Sequence, residues 1–147
     1  MIHSLLAGLP FFVCFFWLIL LIGHCRGFTC SLAFPPLLKK IGDAAFYSCA
    51  GFTELVVGNS IVNIDTDAFR FCKNISGSIV FPITLTTIGE YSFWGCVKVN
   101  SIRFSNPIPF AYNNYMLPTS ATIEVPADAV ATYKATYGWG GLTIVGY

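Results

Sequence analysis

The chain has 147 residues, of which 55% are hydrophobic, 16% aromatic and 10% charged, with a net charge of +1. A soluble domain usually carries about 25% charged residues, yet the high hydrophobicity and low net charge exclude a disordered tail. Eight Lys and Arg against seven Asp and Glu leave no basic surplus for phosphates, so no nucleic-acid partner is expected.

The charge is unevenly spread. Residues 1–25 hold no Asp, Glu, Lys or Arg, and the run from Leu5 to Ile22 is apolar apart from Gly8 and Pro10. As a helix, such a run spans about 27 Å, near the thickness of a bilayer core. Residues 1–24 therefore read as a hydrophobic leader, predicted to be helical. A cleaved signal sequence and a retained anchor both fit, and export is the favoured reading. The n-region lacks Lys and Arg and no clean A-x-A site follows, whereas Arg26, Lys39 and Lys40 would hold the remainder of an anchored chain in the cytoplasm. If the leader stays uncleaved, residues 5–22 make the chain a membrane partner.

A repeat follows. Ile41-Gly42-Asp43-Ala44-Ala45-Phe46-Tyr47-Ser48-Cys49 recurs as Ile64 through Cys72 and again as Ile88 through Cys96, in steps of 23 and 24 residues. After each Cys comes a short apolar stretch, Leu55-Val56-Val57, Ile79-Val80-Phe81 and Ile102-Arg103-Phe104. Each is followed by a turn and an apolar anchor, Ile61, Leu85 or Ile108. The phase reaches back through Leu38 and Leu32 to Cys25, and onward, past a Pro-rich connection over 106–121, to a further strand at Ile123-Glu124-Val125.

A period of this length predicts a solenoid, because one coil cannot cover its own apolar face. Each coil has one short strand with alternate residues inward: Leu55 and Val57, Ile79 and Phe81, Ile102 and Phe104. The stacked columns are Ile41/Ile64/Ile88, Phe46/Phe69/Phe93 and Cys49/Cys72/Cys96. Buried free thiols acting as small hydrophobes are favoured for the Cys column over one disulfide among them. The C-terminal end is expected to close with a cap over 122–147. In it Asp128 lies in the first turn of a helix, Val130, Tyr133 and Tyr137 share one face, and Gly138 stops it. Leu142, Ile144 and Val145 then form a closing strand.

These residues resemble the BspA-type leucine-rich repeat family, with its pattern I-G-x-x-A-F-x-x-C-x-x-L-x-x-I-x-I-P. The departures are Asp65 in place of Gly, Gly58 and Ser105 in place of Pro, and a small copy number. The resemblance implies a right-handed type of solenoid with short parallel strands, on secreted or surface proteins of host-associated bacteria and protists. It also implies protein binding or adhesion. The predicted fold is thus a repeat solenoid of leucine-rich-repeat type, with repeats over 25–121, a C-terminal helical cap and an N-terminal hydrophobic helix.

An enzyme is not expected. The two histidines, His3 and His24, lie in the leader, so the repeats have no imidazole for nucleophilic catalysis. The pairs Asp65/Asp67 and Asp43/Glu90 are carboxylates at turns with no base beside them in sequence. No C-x-x-C occurs among the six cysteines, and no phosphate-loop motif, so neither metal nor cofactor is expected. Asn74-Ile75-Ser76 is a glycosylation sequon, relevant only in a eukaryotic secretory pathway. Tyr47, Arg70 and Trp94 each follow a Phe of the buried column, which predicts an outward row of residue types enriched at interfaces. They are the candidate contacts for a protein partner, a host or matrix protein among the options. The expected location is secreted or cell surface, with membrane anchoring as the alternative. A second functional reading is a terminal cap fragment of a larger repeat protein with a structural role only.

Overall fold

The computed structural model describes residues 30–113 and 115–147. The leader, its predicted helix and Cys25 lie outside these residues. Among the described residues no helix is long and apolar enough to cross a membrane.

The strands run in the order β1 (Cys30–Ala33), β2 (Lys40–Ile41), β3 (Phe52–Val56), β4 (Asn63–Ile64), β5 (Ser76–Phe81), β6 (Thr87–Ile88), β7 (Lys98–Phe104), β8 (Thr122–Val125) and β9 (Ile144–Gly146). All strand pairings are parallel: β1 with β3, β2-β4-β6 as a second sheet, and β5-β7-β8-β9 as a third. The repeat sets the register, since Leu32 pairs with Leu55, Ile41 with Ile64 and Ile64 with Ile88. Ile79 likewise pairs with Ile102, and Phe81 with Phe104. A step of one repeat moves the chain one strand sideways and leaves each side chain beside its own copy.

Between the longer strands and the two-residue strands lies the core. Ile41, Ile64, Ile88, Phe46, Phe69 and Phe93 are buried, as predicted, together with Leu55, Ile79, Phe81, Ile102 and Phe104. The strands begin earlier than the sequence suggested, and a further buried column, Phe52, Ile75 and Val99, lies at or next to their starts. Val57 falls just past the end of β3 and is only partly buried. Rings in the Phe column stack nearly parallel, Phe46 on Phe69 at 5.3 Å and 6° and Phe69 on Phe93 at 5.0 Å and 20°. Cys72 and Cys96 are buried free thiols, and Cys49 is half-buried. The Cys72 Sγ–H donates to the Phe46 carbonyl at 3.0 Å, and that of Cys96 to Phe69 at 3.2 Å. Each thiol thereby ties its coil to the preceding one. Burial pushes the Cys96 thiol up to about 12 and that of Cys72 higher still.

The connection over 106–121 is more ordered than its prolines suggest. The amides of Phe46 and Phe69 donate to the carbonyls of Ala68 and Ser92 in the next coil, and Phe93 donates in the same way to Met116 at 3.0 Å. Met116 and Leu117 are fully buried. Leu117 stands 24 residues after Phe93 and continues the Phe column under another identity. Ile108, by contrast, is exposed rather than an anchor. The Asn106 Oδ1 accepts from the Ile108 amide at 2.9 Å, a side-chain turn that swings the Pro107-Ile108-Pro109 segment outward. Phe110 packs inward instead, 5.7 Å from Phe104 and 5.6 Å from Trp139.

At the C-terminal end, β8 leads through a short 3-10 turn, Ala127–Ala129, into helix α1 (Val130–Ala135), and β9 then returns beside β8. Asp128 lies in that 3-10 turn. The helix is shorter than its periodicity predicts: Thr136 is extended, and Gly138 takes a left-handed φ of 87°. Tyr137 therefore leaves the helical face and is 90% exposed, while Tyr133 stays buried. Its place inside is taken by Trp139, fully buried, whose Nε1 donates to the Phe110 carbonyl at 2.9 Å. The Tyr133 hydroxyl donates to the Asn106 carbonyl at 2.8 Å. In the closing strand Ile144 points inward and Val145 outward, as period two requires, and Leu142 lies before it, partly buried.

Candidate functional site

The outward row is positioned by two left-handed corners in every coil. Ala44, Asp67 and Tyr91 have φ of 51°, 57° and 56°; Ser48, Phe71 and Gly95 have 58°, 60° and 82°. Residues with a Cβ rarely adopt this region. Here hydrogen bonds between coils hold it. The amides of Ala44 and Asp67 donate to Thr66 and Glu90 at 3.0 Å, and those of Ser48 and Phe71 donate to Arg70 and Trp94 at 2.7 Å. The segment between the corners carries Tyr47, Arg70 and Trp94 outward, Tyr47 and Trp94 being 46% and 36% exposed.

The three predicted residues are linked through others that occupy the corners themselves. Tyr47 meets Phe71 edge-on at 5.9 Å. The Arg70 guanidinium lies over Phe71 at 5.1 Å and over Tyr91 at 4.8 Å, while its Nη1 pairs with Asp67 Oδ1 at 3.0 Å. Tyr91 stacks on Tyr115 at 5.3 Å and 7°, and Trp94 meets Tyr115 edge-on at 5.3 Å. The result is a continuous ridge, Tyr47–Phe71–Arg70–Tyr91–Tyr115–Trp94, running along the stack. Arg70 is only partly exposed, and its Nε is buried without a hydrogen-bond partner. Such a loss usually costs about 1–3 kcal/mol; here the guanidinium is held against two ring faces.

Phe71, Tyr91 and Tyr115 escaped the sequence reading because their columns are not uniform. One corner column runs Ala44, Asp67, Tyr91 and Tyr115, and the other Ser48, Phe71 and Gly95. The signal that finds Tyr115 is its 24-residue step from Tyr91, the same step that relates Leu117 to Phe93. Gly95 is required at its corner: a Cβ there would come within 2.5 Å of the Phe71 ring.

The predicted carboxylate pairs do not converge. Asp65 pairs with Lys40 at 2.7 Å and Asp67 with Arg70 at 3.0 Å, so each is engaged with its own cation. Asp43 and Asp65 line one pocket of about 450 Å³ over the two-residue strands, whereas Glu90 lines a separate pocket of about 290 Å³ among tyrosines. Among the described residues, no group of three or more His, Cys, Asp or Glu could hold a metal ion. On the outer face of the third sheet, Arg103 Nη2 pairs with Glu124 Oε2 at 2.6 Å and its guanidinium covers Tyr147 at 4.4 Å. The hydrogen bond from Arg103 holds the Glu124 carboxyl below its ordinary range. Asn74 of the sequon is used in packing: its Nδ2 donates to the Ala50 carbonyl and its Oδ1 accepts from Lys98, both at 2.8 Å.

No curated protein matches the chain. The family model of the BspA type leucine rich repeat region matches residues 24–122 in six copies. That span takes in the coils with stacked Ile, Phe and Cys columns and the Met116-Leu117 rung that the residue pattern had hidden. The chain belongs to the BspA-type leucine-rich repeat family.

Proposed function

We propose that this chain is a non-enzymatic protein-binding or adhesion module of a secreted or surface leucine-rich-repeat protein. In this reading residues 1–24 are the leader, 25–121 a short solenoid that presents the binding face, and 122–147 its cap. One observation carries it: the ridge Tyr47–Phe71–Arg70–Tyr91–Tyr115–Trp94, in which exposed rings and a guanidinium are held in fixed mutual geometry. Aromatic and Arg side chains dominate interface energies because they bury much surface at little entropic cost. A ridge locked by its own contacts has already lost the freedom that binding would otherwise remove.

Replacing Tyr47, Arg70 and Trp94 together by Ser tests the proposal against a captured partner protein. Binding should fall by at least about tenfold with the thermal transition retained, since hot-spot truncations cost about 2 kcal/mol or more. Unchanged affinity rejects the ridge as the binding face. The reading as a terminal cap fragment is favoured by one observation, the repeat phase that reaches back to residue 24. Mass spectrometry of the mature N-terminus tests the leader: cleavage shortly after residue 23 supports the exported module, and an intact Met1 in a membrane fraction supports an anchored chain.

A further inference from the structure

The Tyr91–Tyr115 end of the ridge turns into a pocket of about 290 Å³ lined by Glu90, Tyr91, Tyr112, Asn113, Tyr115 and Tyr137. Four phenol rings and one carboxylate form its wall, and no cationic side chain does. The rings are held from behind. Tyr91 is sandwiched between the Arg70 guanidinium and Tyr115. Tyr112 packs on Trp139 at 5.2 Å and lies so close to Gly138 that a Cβ there would approach it to 2.7 Å. Burial raises the Tyr112 hydroxyl above its ordinary value, so it stays a neutral phenol at physiological pH. Arg70 lies over Tyr91 at 4.8 Å and is paired with Asp67.

We infer that this pocket is a receptor for one basic side chain, a Lys ammonium or Arg guanidinium, presented by the protein partner. The faces of Tyr91 are already taken by Arg70 and Tyr115, so the attraction comes from the other tyrosine rings of the wall, whose negative quadrupole favours cations, and from the Glu90 carboxylate beside them. An anionic ligand meets only repulsion from that carboxylate. At about 290 Å³ the pocket lies at the lower end of the range for small-ligand sites and has room for one side chain. The inference deepens the protein-binding reading and rests on it for the nature of the partner, but its test needs no partner.

The test is a titration of the full chain, carrying ¹³C-labelled tyrosine rings, with N-acetyl-lysine methylamide. N-acetyl-norleucine methylamide serves as the uncharged control and methyl glucoside as the sugar control. The lysine probe should shift a subset of ring resonances, assigned to Tyr91, Tyr112, Tyr115 and Tyr137 by single Phe variants, with millimolar affinity that weakens as salt rises. Glu90→Gln should weaken it about two- to fivefold, as expected for loss of one exposed charge partner. Tyr137→Ala, at a 90% exposed side chain that packs on nothing buried, removes one wall without threatening the fold and should weaken the probe as well. Equal binding of the norleucine probe, preferential binding of the glucoside, or no ring shifts with any of the three each overturns the inference. Loss of partner binding in a Tyr47→Ser variant, whose ring meets Phe71 and leaves Arg70, Trp94 and the pocket tyrosines in place, with cation binding intact, reports on the ridge alone, so the two proposals fail separately.

Discussion

Along the Phe column the rings stack face to face, whereas around Trp139 at the C-terminal end they meet edge to face. Phe46, Phe69 and Phe93 lie within 20° of parallel with their neighbours. Trp139, by contrast, meets Phe104 at 85°, Phe110 at 79° and Tyr133 at 86°. The repeats are related by a small translation, so along the stack each ring meets its own copy in its own orientation, while Phe34, Phe52 and Phe81 meet the column edge-on from other positions. At the end there is no further copy. Trp139, Tyr133 and Phe110 then fill the space the next coil would have filled, and perpendicular contacts suit rings that arrive from different elements. Hydrogen bonds follow the same division. Within the stack, thiols and amides bond to backbone carbonyls one coil away; at the closure, Tyr133 and Trp139 side chains satisfy Asn106 and Phe110.

The largest way to break this comparison is Phe69→Ala, which empties the middle of the column. It should cost about 3–5 kcal/mol in a urea melt, with hydrogen-exchange protection lost in both the preceding and the following coil. Trp139→Ala removes a ring of equal burial from the closure and should cost a similar or smaller amount, about 3–4 kcal/mol. Its loss of protection should stay near β7, β8 and β9, because each layer of a stack is coupled mainly to its neighbour. Equal loss over 41–64 would show that closure and stack unfold as one unit.

Alkaline pH sharpens the comparison from the stack side. In the unfolded chain the thiols of Cys72 and Cys96 ionise near 8.5, but in the folded chain burial holds both protons on well above that value. The folded state binds more protons above about pH 8.5, so stability is complete below that pH and declines as pH rises towards the folded values. Between about pH 7.5 and 9.5 the unfolding free energy should fall by about 2–3 kcal/mol from these two thiols. Cys96→Ala should remove about half of that fall, and an unaltered pH dependence would contradict a buried thiol column. Tyr133, which burial pushes up to about 12, brings the closure into the same trend only above about pH 10.

Gly95→Ala should cost about 1–3 kcal/mol, from a left-handed φ of 82° and from the displaced Phe71 ring. A matching drop in the near-ultraviolet circular dichroism of the ridge would link corner and ridge directly. The smallest effect is expected from Arg103→Ala, whose pairing with Glu124 joins β7 to β8 on a solvated face. It should change stability by less than about 1 kcal/mol and lose even that at high salt.

The repeat stack was legible in the sequence because a translated structure maps equal positions onto equal positions. The Ile, Phe and Cys columns, the outward row Tyr47, Arg70 and Trp94, and the strand at Ile123 and Val125 all come directly from spacing. The closure was legible only in part. Tyr133 and Gly138 were found by helical period, but Tyr137 and Trp139 exchange places because the helix stops at Ala135, a matter of where the chain packs rather than of period. Ile108 shares its column's chemistry, yet the Asn106 turn carries it outward. Leu117 stands in a column of Phe and was hidden by its identity; only the rung from Phe93 to Met116 discloses it.

The candidate site divides in the same way. Spacing fixes which residues recur on one side of a coil, so the row itself needed no coordinates. That Phe71, Tyr91 and Tyr115 join the row is a tertiary result, since left-handed corners turn side chains in directions that period alone does not reveal. The sequence by itself determined the repeat, its core columns and the scarcity of charge, because stacked apolar columns and small polar turns leave few places for charged residues. The tertiary structure alone decided how the stack ends and which side chains share a surface. Those depend on contacts between residues 20 to 30 apart in the chain, where hydrogen bonds between unlike groups override the pattern of the repeat.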